Sequence, residues 1–194
     1  MIIRRLRLYN FGVYAGDNEF LFTNNKPIVL IGGMNGRGKT TFLEAVLLAL
    51  YGSNSVAYTE SKKRSYAQYL KSFVNKNAED KTCIVELEFE INNGLKENYI
   101  VKRAWNSIDK KTNESIFVCK DGVANEFLTQ NWSMFVENIL PSALSSFFFF
   151  DGEKIAEMAV DSSNNQLKNA IRSMLGITAV SYTHLRAHET RGNL

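Results

Sequence analysis

Proline, cysteine and histidine each occur only twice in this 194-residue chain, and each scarcity excludes something. With prolines only at 27 and 141, and no Pro-, Gly- or Ser-rich stretch, the chain has no linker composition. Hydrophobic residues make up 45% and charged residues 22%, enough apolar surface to form a core rather than a disordered segment. The length suits one domain. Cys83 and Cys119 are far apart, and neither belongs to a C-x-x-C pair. Both lie in apolar, strand-like runs, so they are expected to be reduced core thiols of a cytoplasmic protein, with no disulfide or cluster chemistry. No apolar run reaches the roughly 18 residues that span a bilayer. The N-terminus, M-I-I-R-R-L-R-L, puts charge where a signal peptide needs an apolar stretch. A soluble, intracellular protein with no membrane partner is expected.

Charge of one sign is also scarce, the net value being +3. The basic groups Arg4-Arg5-Arg7, Lys62-Lys63-Arg64 and Lys102-Arg103 read as solvated faces rather than a nucleic-acid groove. Both histidines, His184 and His188, fall in the segment Ser181–Leu194, which has neither helical nor strand periodicity. That segment resembles the translated read-through of a sequencing adapter, so residues 181–194 are expected to be non-native. Removing its two arginines and one glutamate takes the net charge from +3 to +2. Residues 1–180 hold no histidine, which excludes a histidine base or a histidine-ligated metal there.

Periodicity orders the rest. Ile2–Tyr9 predicts a strand, Asn10-Phe11-Gly12 a turn, and Glu19–Thr23 a returning strand. Pro27–Ile31 is a short apolar run of the kind that makes a buried parallel strand. Lys39–Tyr51 predicts a helix ended by Gly52. A polar segment, Ser53–Arg64, precedes a short helix around Tyr66–Val74. Alternation from Cys83 to Ile91 predicts a half-buried strand, Asn92-Asn93-Gly94 a hairpin turn, Tyr99–Trp105 its partner, and Ser115–Lys120 a third strand. Thr129–Leu140 predicts a helix stopped by Pro141. Phe147–Phe150 predicts a short core strand, followed by helices over Lys154–Val160 and Gln166–Leu175 before Gly176.

Between the apolar run at 27–31 and the helix at 39 lies G-M-N-G-R-G-K-T, residues Gly33 to Thr40. It satisfies G-x-x-x-x-G-K-[ST] in full, in the strand–loop–helix setting that the chemistry requires. Glycine supplies backbone angles closed to other residues and lets amides approach phosphate oxygens. The helix N-terminus contributes N–H groups and a positive dipole end. Lys39 adds a charge for the β- and γ-phosphates, and Thr40 a hydroxyl for Mg²⁺. The expected nucleotide-binding set is Gly33, Asn35, Gly36, Arg37, Gly38, Lys39, Thr40 and Thr41, with ATP and Mg²⁺ as cofactors. Arg37 reads equally as a phosphate contact or a solvent-facing residue.

Three features carry a resemblance: a first strand ending in Asn10-Phe11-Gly12, the loop form N-G-R-G-K-T, and S-S-F-F-F-F-D-G-E-K-I from Ser145 to Ile155. They resemble the heads of SMC-like, RecF-like and other ABC-type DNA ATPases. Together with N-I-L-P-S-A-L and S-M-L-G-I, they are most similar to the DndD family, the ATPases of bacterial DNA sulfur modification (phosphorothioation). The resemblance covers residues 1 to about 180. It implies an α/β fold: a P-loop NTPase of AAA type, the N-terminal lobe of an ABC/SMC-like head, with a mixed sheet and flanking helices. It also implies DNA as a partner, a second head bound through ATP, and other DNA sulfur-modification proteins.

Asp151 stands where such heads place a Q-loop glutamine, so Thr40 and Asp151 form the expected metal pair. A second reading makes F-F-F-F-D-G-E a Walker B strand, with Asp151 on Mg²⁺ and Glu153 as general base. Gly152, however, separates acids that are adjacent in ABC heads. A third makes it a core strand ending in a turn. Arg64 lies where SMC-like heads place a trans-acting arginine. No S-G-G signature and no adjacent acid pair follow Glu153. The expectation is a lobe that binds ATP without hydrolysing it alone, the intact protein being an ATPase. The other readings are another SMC- or RecF-like DNA repair ATPase head, a self-contained P-loop NTPase using Asp151 and Glu153, against which the absence of N-K-x-D counts for a GTPase, and a fragment with no activity. No cysteine sits in an arrangement suited to sulfur chemistry.

Overall fold

The computed structural model describes residues 1–22, 31, 32, 34, 36–92, 94–107, 112–145 and 149. The chain divides after Ser145 into two units, and the architecture below is that of the first. The expected strand at Phe147–Phe150, the helices at 154–160 and 166–175, and the tail at 181–194 lie outside the described residues, Phe149 excepted.

Among the described residues, six antiparallel strands form one sheet in the order β2-β1-β3-β4-β5-β6. They are β1 (Ile2–Phe11), β2 (Tyr14–Leu21), β3 (Thr82–Asn92), β4 (Lys96–Asn106), β5 (Glu114–Lys120) and β6 (Val123–Ala124). The helices are α1 (Lys39–Tyr51), α2 (Val56–Thr59), α3 (Tyr66–Ser72) and α4 (Glu126–Ile139). This is the expected α/β P-loop architecture. Its described sheet is antiparallel throughout, and the parallel strand expected at 27–31 lies outside the described residues except for Ile31. Among the described residues no helix is long and apolar enough to cross a membrane.

Period-2 alternation gives the sheet one dry face. Leu6, Leu8, Val85, Leu87, Phe89, Val101 and Val118 are fully buried on it. Against that face lies α1, in which every residue from Ala45 to Tyr51 is buried. A helix apolar all round must be covered all round. The sheet covers one side of α1 and α4 and α2 others. Each buried leucine of this run contributes about 1.5–3 kcal/mol.

The other face of the sheet is charged. Arg4 and Arg5 are neighbours in a strand and should point to opposite faces, yet both reach glutamates of one face. A register shift between Ile3 and Arg5 explains it: Ile3 pairs with Phe89 and Arg5 with Glu88, so an extra residue of β1 is turned outward. Arg4 then pairs with Glu90 at 2.6 Å, and Arg5 with Glu86, Glu88 and Glu19. Arg7 pairs with Asp17 at 2.8 Å. These arginines are therefore a cross-strand ion-pair ladder.

Two expectations need correction. Arg103 is not on a solvated face but buried, with 5% of its surface exposed, because alternation along β4 turns it inward beside Tyr99, Val101 and Trp105. Cys119 is only partly covered, while Cys83 is buried. Burial pushes the Cys83 thiol well above its ordinary range, consistent with an inert core residue.

The ladder has a pH signature. A hydrogen bond from Arg4, then one from Lys96, holds Glu90 below its ordinary value of 4.5. Arg7 lowers Asp17 from 3.8, and Lys120 lowers Glu97 from 4.5. Groups depressed in the folded state stabilise it fully above their unfolded values and lose that contribution as pH falls through the folded ones. The thermal midpoint should thus hold from pH 7 to about 5.5 and fall below about 4.5. Added salt should flatten that fall by screening the exposed pairs.

Candidate phosphate-binding site

The described part of the glycine-rich loop meets α1 at Gly38. Gly36 has φ +75° and Gly38 φ +97°, left-handed angles that explain glycine at both positions. At Gly38 space is limiting as well. A Cβ there would stand 2.7 Å from Val13 Cγ2 and 2.9 Å from the Tyr14 hydroxyl oxygen. The loop closes on the Met34 carbonyl, which accepts from the Arg37 backbone N–H at 3.3 Å and from Lys39 Nζ at 3.2 Å.

Gly36, Arg37, Lys39 and Thr40 are exposed, and Thr41 is half-buried. The N-cap of α1 is a glycine without a side-chain acceptor, and the first turn carries no acid. Within its own first turn the helix thus places no negative charge at the positive end of its dipole. Two left-handed glycines, the second packed on the hairpin, beside an exposed lysine and hydroxyl, fit a phosphate chain with its divalent cation.

The fold brings Gly36, Arg37, Gly38, Lys39, Thr40 and Thr41 to one loop–helix junction. Gly33, Asn35, Asp151 and Glu153 lie outside the described residues. Arg64 is exposed in the segment before α3, whose N-cap is Ser65. Among the described residues no group of His, Cys, Asp or Glu could hold a metal ion.

Sequence reasoning missed the supporting wall. The turn between β1 and β2 packs on the loop: a Cβ at Gly12 would lie 2.5 Å from Thr41 Cγ2. Tyr14 donates its hydroxyl to the Gly38 carbonyl at 3.1 Å, and burial raises its pKa, keeping it a donor. The turn is itself anchored. Gly12 N–H donates to the Phe73 carbonyl at 2.5 Å, Asn75 Nδ2 donates to the Gly12 carbonyl at 2.8 Å, and Phe11 stacks on Phe73 at 4.6 Å. The glycine of Asn10-Phe11-Gly12 is the only sequence signal for this wall.

The far end of α1 is equally held. Its C-terminal carbonyls accept from Gly52 N–H (Leu48), Arg103 Nε at 3.0 Å (Ala49) and Trp132 Nε1 at 2.9 Å (Leu50). The orphan acceptors of a helix end are thereby met.

A family model described as an AAA domain matches residues 5–181. The DNA double-strand break repair Rad50 ATPase of Thermoplasma acidophilum is 28% identical over 158 residues, 79% of this chain and 16% of that protein. The Rad50 ATPase of Methanocaldococcus jannaschii is 32% identical over 112 residues, 55% of this chain and 9% of that protein. A component of the nuclease SbcCD of Treponema pallidum is 46% identical over 48 residues, 25% of this chain and 5% of that protein. The chain thus spans only a small part of the curated relatives it matches.

Proposed function

The chain belongs to the AAA domain family, and on that premise we propose that it is the ATP-binding lobe of an SMC-like, ABC-type DNA ATPase head. The observation that carries this reading is the left-handed Gly36 and Gly38 turn opening a helix whose first turn holds no acid, in a chain 28% identical over 158 residues to a Rad50 ATPase. The backbone amides of the loop, Gly33 to Gly38, and of Lys39 to Thr41 would hold the phosphate chain, with the Lys39 ammonium against its outer charges. The Thr40 hydroxyl would hold Mg²⁺, with Asp151 as the second protein group. The cation neutralises charge on the phosphate oxygens when bound. Hydrolysis is assigned to a complementary lobe carrying a signature motif and an acid pair, and closure of two heads around ATP to the intact protein.

In the test, ATP binding by the chain is measured by titration calorimetry, and turnover by phosphate release. The unaltered chain should bind ATP with Mg²⁺ and release no phosphate. Lys39→Ala should weaken binding by about tenfold to a hundredfold, the worth of a charge-assisted hydrogen bond. Robust turnover that Lys39→Ala abolishes would instead make Asp151 and Glu153 a Walker B pair and overturn the half-site reading.

The finer reading is DNA sulfur modification, supported by the run Ser145–Ile155. Similarity to the Rad50 and SbcCD relatives favours DNA-break repair as the second reading. The two separate in cells carrying Lys39→Ala. Loss of phosphorothioate from genomic DNA supports the first. Intact sulfur content with sensitivity to double-strand breaks supports the second.

A further inference from the structure

We propose that Tyr14, on the β1–β2 hairpin, is a positioning residue that sets the direction of the phosphate-binding amides. This rests on the nucleotide-binding reading of the loop. The Gly38 carbonyl accepts two hydrogen bonds, from the Phe42 N–H at 2.8 Å, which opens α1, and from the Tyr14 hydroxyl at 3.1 Å. In a planar trans peptide the N–H points opposite to the C=O. Holding the Gly38 oxygen on its far side therefore aims the Lys39 N–H outward, to the face where an anion meets the helix end. Gly38 has φ +97° and no side chain to lock it, so the Tyr14 hydroxyl supplies a hold that the residue itself lacks.

The tyrosine is itself oriented. Its ring meets Phe20 edge-on at 5.6 Å, and Phe20 meets Phe42 edge-on at 5.1 Å. The aromatic chain thus leaves the hairpin and returns to the first turn of α1. Thr41, against Gly12, is the second point of contact between hairpin and helix. Sequence alone shows a tyrosine far upstream of the loop, with nothing to connect the two.

The test is Tyr14→Phe, which keeps the ring and removes only the donor. Three quantities are read on the full chain: thermal midpoint, affinity for ATP and for inorganic tripolyphosphate, and amide hydrogen exchange. The midpoint should move by no more than about 2 °C. Affinity for ATP and for tripolyphosphate should fall together, by about threefold to tenfold, as expected for one hydrogen bond. Exchange at Lys39 to Phe42 should quicken, while exchange in β3 and β4 stays unchanged. Unchanged exchange and affinity would overturn the assignment. A loss for ATP with none for tripolyphosphate would also overturn it, making Tyr14 a contact of the nucleoside. Should the unaltered chain bind neither ligand, the nucleotide reading fails, and the exchange result alone then decides whether Tyr14 orders the loop.

Discussion

Arg103→Met should destabilise the protein by about 3 kcal/mol, measured by urea unfolding with an unchanged m-value. The guanidinium is almost fully buried and has two tasks. Its Nε donates to the Ala49 carbonyl at 3.0 Å, and its Nη1 pairs with Glu114 Oε1 at 3.1 Å. Glu114 also accepts from the Tyr66 hydroxyl at 2.8 Å. Removing the cation leaves a largely buried carboxylate without its counter-charge and a helix-end carbonyl without its donor. Both losses cost more than the methionine gains by packing. The double change Arg103→Met with Glu114→Gln should recover part of the loss, because a neutral amide needs no counter-charge. A single-variant loss below about 1 kcal/mol would show that water reaches the pair.

Gly38→Ala should weaken the proposed phosphate site while leaving the sheet folded. Alanine at φ +97° carries a backbone penalty of about 1–3 kcal/mol. Its Cβ would also meet Val13 and Tyr14 at 2.7 and 2.9 Å. Relief requires either rotation of the 38–39 peptide or retreat of the hairpin, and each disturbs the amides at the helix start. ATP affinity should fall by about tenfold or more. Far-UV circular dichroism and the exchange protection of β3 and β4 should not change. An ATP affinity equal to that of the unaltered chain would remove Gly38 from the site. Lys39→Ala removes both the charge and the Lys39 Nζ–Met34 contact, whereas Gly38→Ala keeps the charge, so a loss of affinity in Gly38→Ala reads geometry alone.

Legibility in the sequence follows how local the causes are. Helix α1 is legible with the bounds it has, because Gly38 and Gly52 bracket one apolar run, and at φ +97° and +55° both glycines punctuate it. β3 is legible from alternation, although its ladder extends to Thr82 and Asn92. β2 is expected at Glu19–Thr23 and begins at Tyr14. The polar run Ala15–Asn18 looks like a loop, and only pairing with β1, Tyr9 to Asp17 and Phe11 to Tyr14, makes it a strand. α4 is expected from Thr129 and begins at Glu126, where Asn125 accepts from the Leu128 N–H as N-cap. The pairing of Arg4 and Arg5 is hidden because it depends on a bulge. The burial of Arg103 is hidden because a basic residue beside Lys102 reads as surface.

Within the candidate site, the loop's residue types are legible and its support is not. A motif reports which atoms meet a phosphate. The Tyr14 hydroxyl and the Gly12–Thr41 approach depend on residues more than twenty positions apart, which no local pattern records.

The two-ended hold on α1 carries a mechanical consequence. The helix is about 20 Å long, is gripped at Gly38–Thr41 by the hairpin, and is gripped at Ala49–Gly52 by Arg103 and Trp132. It is also sheathed along its buried half. Because both ends are pinned, a displacement at the loop must either break the Tyr14 hold or carry the helix as a body against Arg103 and Trp132. Motion of the helix as a body would alter the Trp132–Leu50 hydrogen bond, and a fluorescence change on adding nucleotide, read in a Trp105→Phe background, would distinguish it from a change confined to the loop.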